Sequence, residues 1–258
     1  MHPSLIQPVH NLIKRVENDT NKPIRLVEVR DASDQNDVPT AQPASSTDPS
    51  HEISYDLSHP ETIQCQIAHE CAHILRTYDV PTDKRMKMER TSKEKETGIN
   101  DLAENKKIFS DSEYETWYEK LLMKLRSAPE DLWVDNWLLI NFHHTEIHNQ
   151  QIRLYIDWAT EISNHTSDVF EEKTPTLLFK VVNAIDYASY YLLRHQLVDA
   201  DKQIGTLTNH PKIIELGDQL IEITRNSEQN DHEDDIRLID NWAEILRIQS
   251  WYHWEPRG

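Results

Sequence analysis

The sequence predicts an α+β first part followed by an all-helical second part, and three observations point there. Ile24-Arg25-Leu26-Val27-Glu28-Val29 alternates like a strand, and Glu52 to Leu57 gives a second short one. Elsewhere apolar residues recur at helical spacing. Glycine is scarce, with 4 residues where ordinary usage would give roughly 18, which suits a chain made mostly of helix.

Taken in order, residues 4 to 18 form an amphipathic helix on Leu5, Ile6, Val9, Leu12, Ile13 and Val16, followed by the first strand. Residues 31 to 50, rich in Asp, Pro, Ser and Thr, read as a loop before the second strand. Ser58-His59-Pro60-Glu61 has the pattern of a capping box with proline in the first turn, and so predicts the start of a helix. Ile63, Ile67, Ile74, Leu75 and Tyr78 give that helix a buried face, and Val80-Pro81 stops it.

Polar residues 91 to 112 are expected as a loop or frayed helix. Trp117, Leu121, Leu122 and Leu125 mark the next helix, and Ser127 with Glu130, enclosing Pro129, predicts that a further helix starts there. Beyond about residue 166, helices are expected over Leu177 to Leu197, Pro211 to Thr224 and Ile236 to Trp251. Polar turns and the acidic run Glu228 to Asp235 separate them. The aromatic ending Trp251-Tyr252-His253-Trp254 is expected to be packed. The division that follows is 1–165 and 166–258.

His69-Glu70-Cys71-Ala72-His73 lies inside the first bounded helix and carries the chemistry. Residues i and i+4 stand one above the other, so both imidazoles reach one metal ion from one helix face. Two histidines four apart with glutamate after the first form the HExxH pattern of zinc peptidases. Zinc lowers the pKa of a coordinated water to about 7, and the carboxylate beside it, Glu70, takes the proton as the nucleophile forms.

A catalytic zinc uses three protein ligands, and Ser127 to Leu138 is the region expected to supply the third. Asp131 and Asp135 are four apart and share a face, so one can bind the metal while the other holds a histidine ring. Either aspartate can fill either role, whereas Glu130, at the third helical position, folds back onto the cap. His143, His144 and His148 are read as surface or capping histidines. Cys65, four residues before His69, shares the stripe of the two histidines. It is expected as a small buried residue, with the alternative of a regulatory, redox-sensitive thiol.

The motif helix, with a downstream run of acid, two residues, small residue, aspartate and aromatic, resembles the ImmA/IrrE-type metallopeptidases, relatives of the gluzincins. The resemblance covers residues 1 to about 160. It implies a small zincin-like domain with a short β-sheet and one Zn2+ per chain. In that family the first acid of the downstream pattern is the third ligand. Laid on this chain, the pattern places Asp131 at that ligand, Val134 at the small residue, Asp135 at the supporting acid and Trp137 at the aromatic. The chain departs from the pattern by using aspartate where the family has glutamate, and Asp131 stands 58 positions after His73, a long gap that implies an insertion.

An aspartate ligand with an added helical region is similar to the regulatory peptidases of CBASS anti-phage operons. That likeness implies cleavage of a helix-turn-helix transcriptional repressor. It also implies that an extended substrate is received by an exposed strand edge beside the metal, for which Ile53 to Leu57 is a candidate, while as sequence that segment is equally an ordinary core strand.

A net charge of −18 excludes generic binding to nucleic acid or to anionic membranes. Lys84, Arg85, Lys87, Arg90, Lys93 and Lys95 are a local exception. They motivate a single-stranded DNA effector, although interleaved acids favour a solvated loop. No apolar run reaches the ~18 residues of a membrane span, the first residues form no signal peptide, and two cysteines suit thiols rather than a disulfide scaffold. A cytoplasmic zinc endopeptidase of narrow specificity is the reading that results. The alternative is a non-catalytic regulatory binding protein with a structural zinc site.

Overall fold

The computed structural model describes residues 4–29, 39–44, 48–104, 109–165, 171, 174–194 and 207–257. Most of the expected loop over 31–50 and the expected helix end at Leu197 lie outside these residues, and the 165/166 junction lies at their edge. The fold is mixed α+β and mostly helical. Two compact units divide the chain: Met1–Arg85 with Trp133–Tyr155 and Pro256–Gly258, and Met86–Leu132 with Ile156–Glu255.

In the first unit, α1 (Gln7–Thr20) buries Val9, Leu12, Val16 and Thr20. It ends on Asn21 in the left-handed conformation, which asparagine tolerates well. β1 (Ile24–Val29) runs parallel to β3 (His51–Asp56), with Ile24 opposite His51 and Val29 opposite Asp56. β2 (Ala41–Gln42) pairs antiparallel on the other side of β3, with Ala41 opposite Ile53. Of the two readings of Ile53 to Leu57, substrate-receiving edge or core strand, the structure has the core strand, because β3 lies between β1 and β2. Ile53 and Tyr55 are buried, with β1 paired along the whole of β3 and β2 paired at Glu52 and Ile53.

The motif helix α2 (Ile63–Tyr78) packs on α1 and β3. Its apolar face joins Ile63, Ile67, Ala68 and Ile74 to Val134, Leu138 and Ile147 in one core. At roughly 1.5–3 kcal/mol for each large apolar side chain removed from water, this core holds the motif helix rigidly against the sheet.

In the second unit, the ribbon β4 (Met86–Glu89) and β5 (His253–Pro256) pair with each other. The expectation of an all-helical C-terminal part is thus corrected: Arg247 caps the last helix in the left-handed conformation, and the aromatic-rich end continues as a strand. Residues 92 to 103 form a regular helix, α3 (Ser92–Ala103), where the sequence predicts a loop or frayed helix. A capping box between Thr91 and Glu94 starts it.

The helix α4 (Asp111–Asn141) is continuous through Pro129, so the start expected at Ser127 does not occur. Leu121, Leu125, Ala128 and Leu132 keep one buried face across the proline, and that packing outweighs the lost hydrogen bond. After α5 (Glu146–His165), the helices α6 (Thr176–Leu193), α7 (Pro211–Asn226) and α8 (His232–Leu246) form the rest. α7 packs against both α6 and α8. Trp242 and Trp251 are fully buried, and their indole N–H groups donate to Thr224 Oγ1 and Asp101 Oδ2.

Candidate metal centre

α2 starts differently from its sequence signature. Ser58 donates to Asp56 rather than capping the helix, and a 3-10 turn over Pro60–Thr62 intervenes. The first-turn N–H of Cys65 is satisfied from another element, by Gln150 Oε1 on α5 at 3.0 Å. The body of the helix then presents His69 and His73 on one face, while Glu70 is buried, with 7% exposure.

One ligand atom from each of His69, His73 and Asp131 lies within 4.8 Å of the others, and all three residues are partly exposed. His73 Nε2 faces His69 Nε2 at 3.0 Å. Two ligand nitrogens on a tetrahedral zinc, each at 2.0–2.1 Å, would stand about 3.3 Å apart, so the pair is already near the spacing that the ion imposes. Asp135, one turn after Asp131 on α4, has its Oδ1 3.2 Å from His69 Nδ1. A ring that donates through Nδ1–H leaves Nε2 as the lone-pair donor, which is the tautomer a metal ligand needs. The spacing of the donors on His69, His73 and Asp131 is therefore compatible with one zinc ion, with Asp135 beside the His69 ring.

Comparison with family models, with curated proteins and with solved structures returns no match.

The remaining sequence candidates fall elsewhere. Glu130 Oε1 lies 3.6 Å from His232 Nδ1, in the second unit. Cys65 is buried, with 3% exposure, and desolvation pushes its thiol up to about 12 against the opposing pull of His69. That thiol stays protonated, which slows reaction with oxidants. Cys71 is also a buried free thiol, shifted upward by burial.

His143, His144 and His148 cluster with ring centroids 3.7 and 4.8 Å apart in the turn between α4 and α5, and burial lowers the pKa of His148. Three of the six basic residues are paired locally with acids. Lys87 pairs with Glu89, Arg90 with Glu119 and Lys95 with Glu115, while the Arg85 guanidinium sits 3.8 Å from the Tyr78 ring centroid. Trp137 stacks on Trp133, whose ring also carries the buried Arg76 guanidinium at 4.5 Å. These contacts pin the C-terminal half of α2 to Trp133 and Trp137 of α4.

Sequence reasoning missed Gln150 and Gln151, which brace the site from α5. Gln151 Nε2 donates to both the backbone oxygen and Oδ1 of Asp135, each at 3.1 Å. Side-chain amides carry no spacing signature, and nothing in the primary structure marks them.

Proposed function

We propose that the chain is a zinc-dependent endopeptidase of narrow specificity, with His69, His73 and Asp131 as the metal ligands and Glu70 as the general base. The observation that carries this function is the convergence of the three donors on the HExxH helix. Three is the number of protein ligands a catalytic zinc uses, whereas a structural zinc is enclosed by four, so the three donors found among the described residues favour catalysis.

Zinc, when bound, supplies a Lewis acid that polarises the scissile carbonyl and acidifies water. Glu70 would take a proton from the attacking water and return it to the departing amine, a role worth roughly 10²–10⁴ in rate. Asp135 fixes the tautomer and tilt of His69. The partial exposure of His69, at 23%, leaves a path for substrate to the site.

The substrate we assign, a helix-turn-helix transcriptional repressor, rests on the likeness of the motifs to ImmA/IrrE-type peptidases of anti-phage operons. Two buried free thiols suit action in the cytoplasm. Among the described residues no helix is long and apolar enough to cross a membrane. Zinc-loaded chain and its Glu70→Gln variant, incubated with a quenched-fluorescent peptide library and with helix-turn-helix proteins, test the assignment. The parent is expected to cleave and Glu70→Gln to keep its zinc but lose cleavage. A variant that cuts at the parent rate removes Glu70 from the mechanism.

A further inference from the structure

We propose that Gln151 is a positioning residue of this centre, one that orients Asp135, and through it the His69 ring, and so reserves the third ligand position for Asp131. The assignment rests on the metal reading given above.

Gln151 is 5% exposed, and the two N–H bonds of its amide are spent on a single residue, Asp135. A donor that bridges the backbone oxygen and the carboxylate of one aspartate fixes both side-chain torsions of that aspartate. The terminal torsion of an aspartate is otherwise broad. The same Oδ1 faces His69 Nδ1 at 3.2 Å, so one oxygen collects a ring N–H and an amide N–H. An oxygen that already accepts from two donors is a poorer metal ligand. Asp131, which shares the helix face with Asp135, is thereby left as the coordinating acid.

The other end of the amide supports a functional role. Gln151 Oε1 is buried with no hydrogen-bond partner among the described residues. A buried, unsatisfied polar atom costs roughly 1–3 kcal/mol, a penalty that an apolar side chain of similar volume would avoid. The position therefore keeps a donor at the expense of stability. Gln150, the preceding residue, holds the backbone of Cys65 four residues before His69. The register of α5 is thus tied to the motif helix as well as to α4.

The test uses the full chain and two readouts other than activity: zinc affinity by chelator competition, and the visible absorption of the Co2+-substituted protein. Gln151→Met keeps the length and removes the donor. It is expected to weaken zinc binding about 10-fold, within the range seen when a residue supporting a metal-bound histidine is removed, and to alter the Co2+ spectrum. Asp135→Ala is expected to weaken binding comparably, and adding Gln151→Met to it should change affinity no further. Gln151→Glu, which matches the shape of glutamine, is expected to lose affinity too, and it stands in if the methionine variant does not fold. Parent-like affinity and spectrum in the variants, or losses that simply add in the double variant, overturn the role of Gln151 while leaving the zinc site intact. A parent chain that takes up neither metal overturns the metal reading itself and the role of Gln151 with it.

Discussion

The Nε2 atoms of His69 and His73 face each other at 3.0 Å, with the Nδ1 of His69 turned toward Asp135. Two rings in this arrangement share a proton, and a divalent cation can replace it by taking a lone pair from each. Zinc is therefore expected to stabilise the fold, by about 2.7 kcal/mol when its free concentration is 100 times the dissociation constant. His69→Ala, His73→Ala and Asp131→Ala should abolish that gain in a thermal melt, and Asp135→Ala should weaken binding about 10- to 100-fold. If Asp131→Ala binds like the parent while Asp135→Ala binds nothing, the third ligand is Asp135.

His51 gives the first unit a pH dependence. Ala44 N–H donates to its Nδ1 at 2.9 Å, so Nε2–H donates to Thr20 Oγ1, whose hydroxyl donates to Val16 O. Burial lowers the ring to about 4, from 6.5. A depressed value in the folded state means that the unfolded chain binds the proton first, so the contribution is complete above pH 6.5 and is lost as pH falls toward 4. Between pH 7.5 and pH 5 the loss from this one group is about 2 kcal/mol. Urea unfolding of the parent and of His51→Gln at both pH values should show a steeper loss in the parent. Equal slopes would remove His51 as the sensor.

Pro129 sits inside α4, where it has no N–H for the carbonyl of Leu125. Pro129→Ala restores that bond and is expected to raise stability by roughly 1–3 kcal/mol, read from the denaturant midpoint. A midpoint at or below the parent's would mean that the packing of Ala128 and Leu132 depends on a bend at this turn.

Gly98 lies on α3 against two aromatic rings. A Cβ there would overlap the Tyr118 ring and stand 2.8 Å from Trp251 Cδ2. Gly98→Ala gains about 1 kcal/mol of helix propensity but overpacks a tight site at a cost of roughly 1–3 kcal/mol. A net loss in melting temperature is expected, together with a change in Trp251 fluorescence. A rise in melting temperature would show that the rings give way.

The strongest sequence signals were those in which one helix face holds all the information. His69 and His73 appear together because four residues bring a helix round to the same side, and Asp131 and Asp135 share a face for the same reason. Local signals failed where a distant partner decided the outcome. Ser127 and Glu130 spell a helix start, but the apolar face from Leu121 to Leu132 carries α4 straight through. Ser58 spells another, but its hydroxyl goes to Asp56 and the end of α2 is capped from α5. Ile53 and Tyr55 mark a strand without marking its place, which depends on β1 and β2 flanking it. The bracing amides of Gln150 and Gln151 become visible only once α5 is docked.

The β4–β5 ribbon joins strands that lie far apart in the chain, from Glu89 to His253, a span of 164 positions. Closing so long a loop has an entropy cost before any pairing is gained, so non-local strands assemble after neighbouring helices. During refolding, far-ultraviolet ellipticity should recover ahead of the emission from Trp254, making this two-stranded clasp one of the last pieces of the molecule to lock.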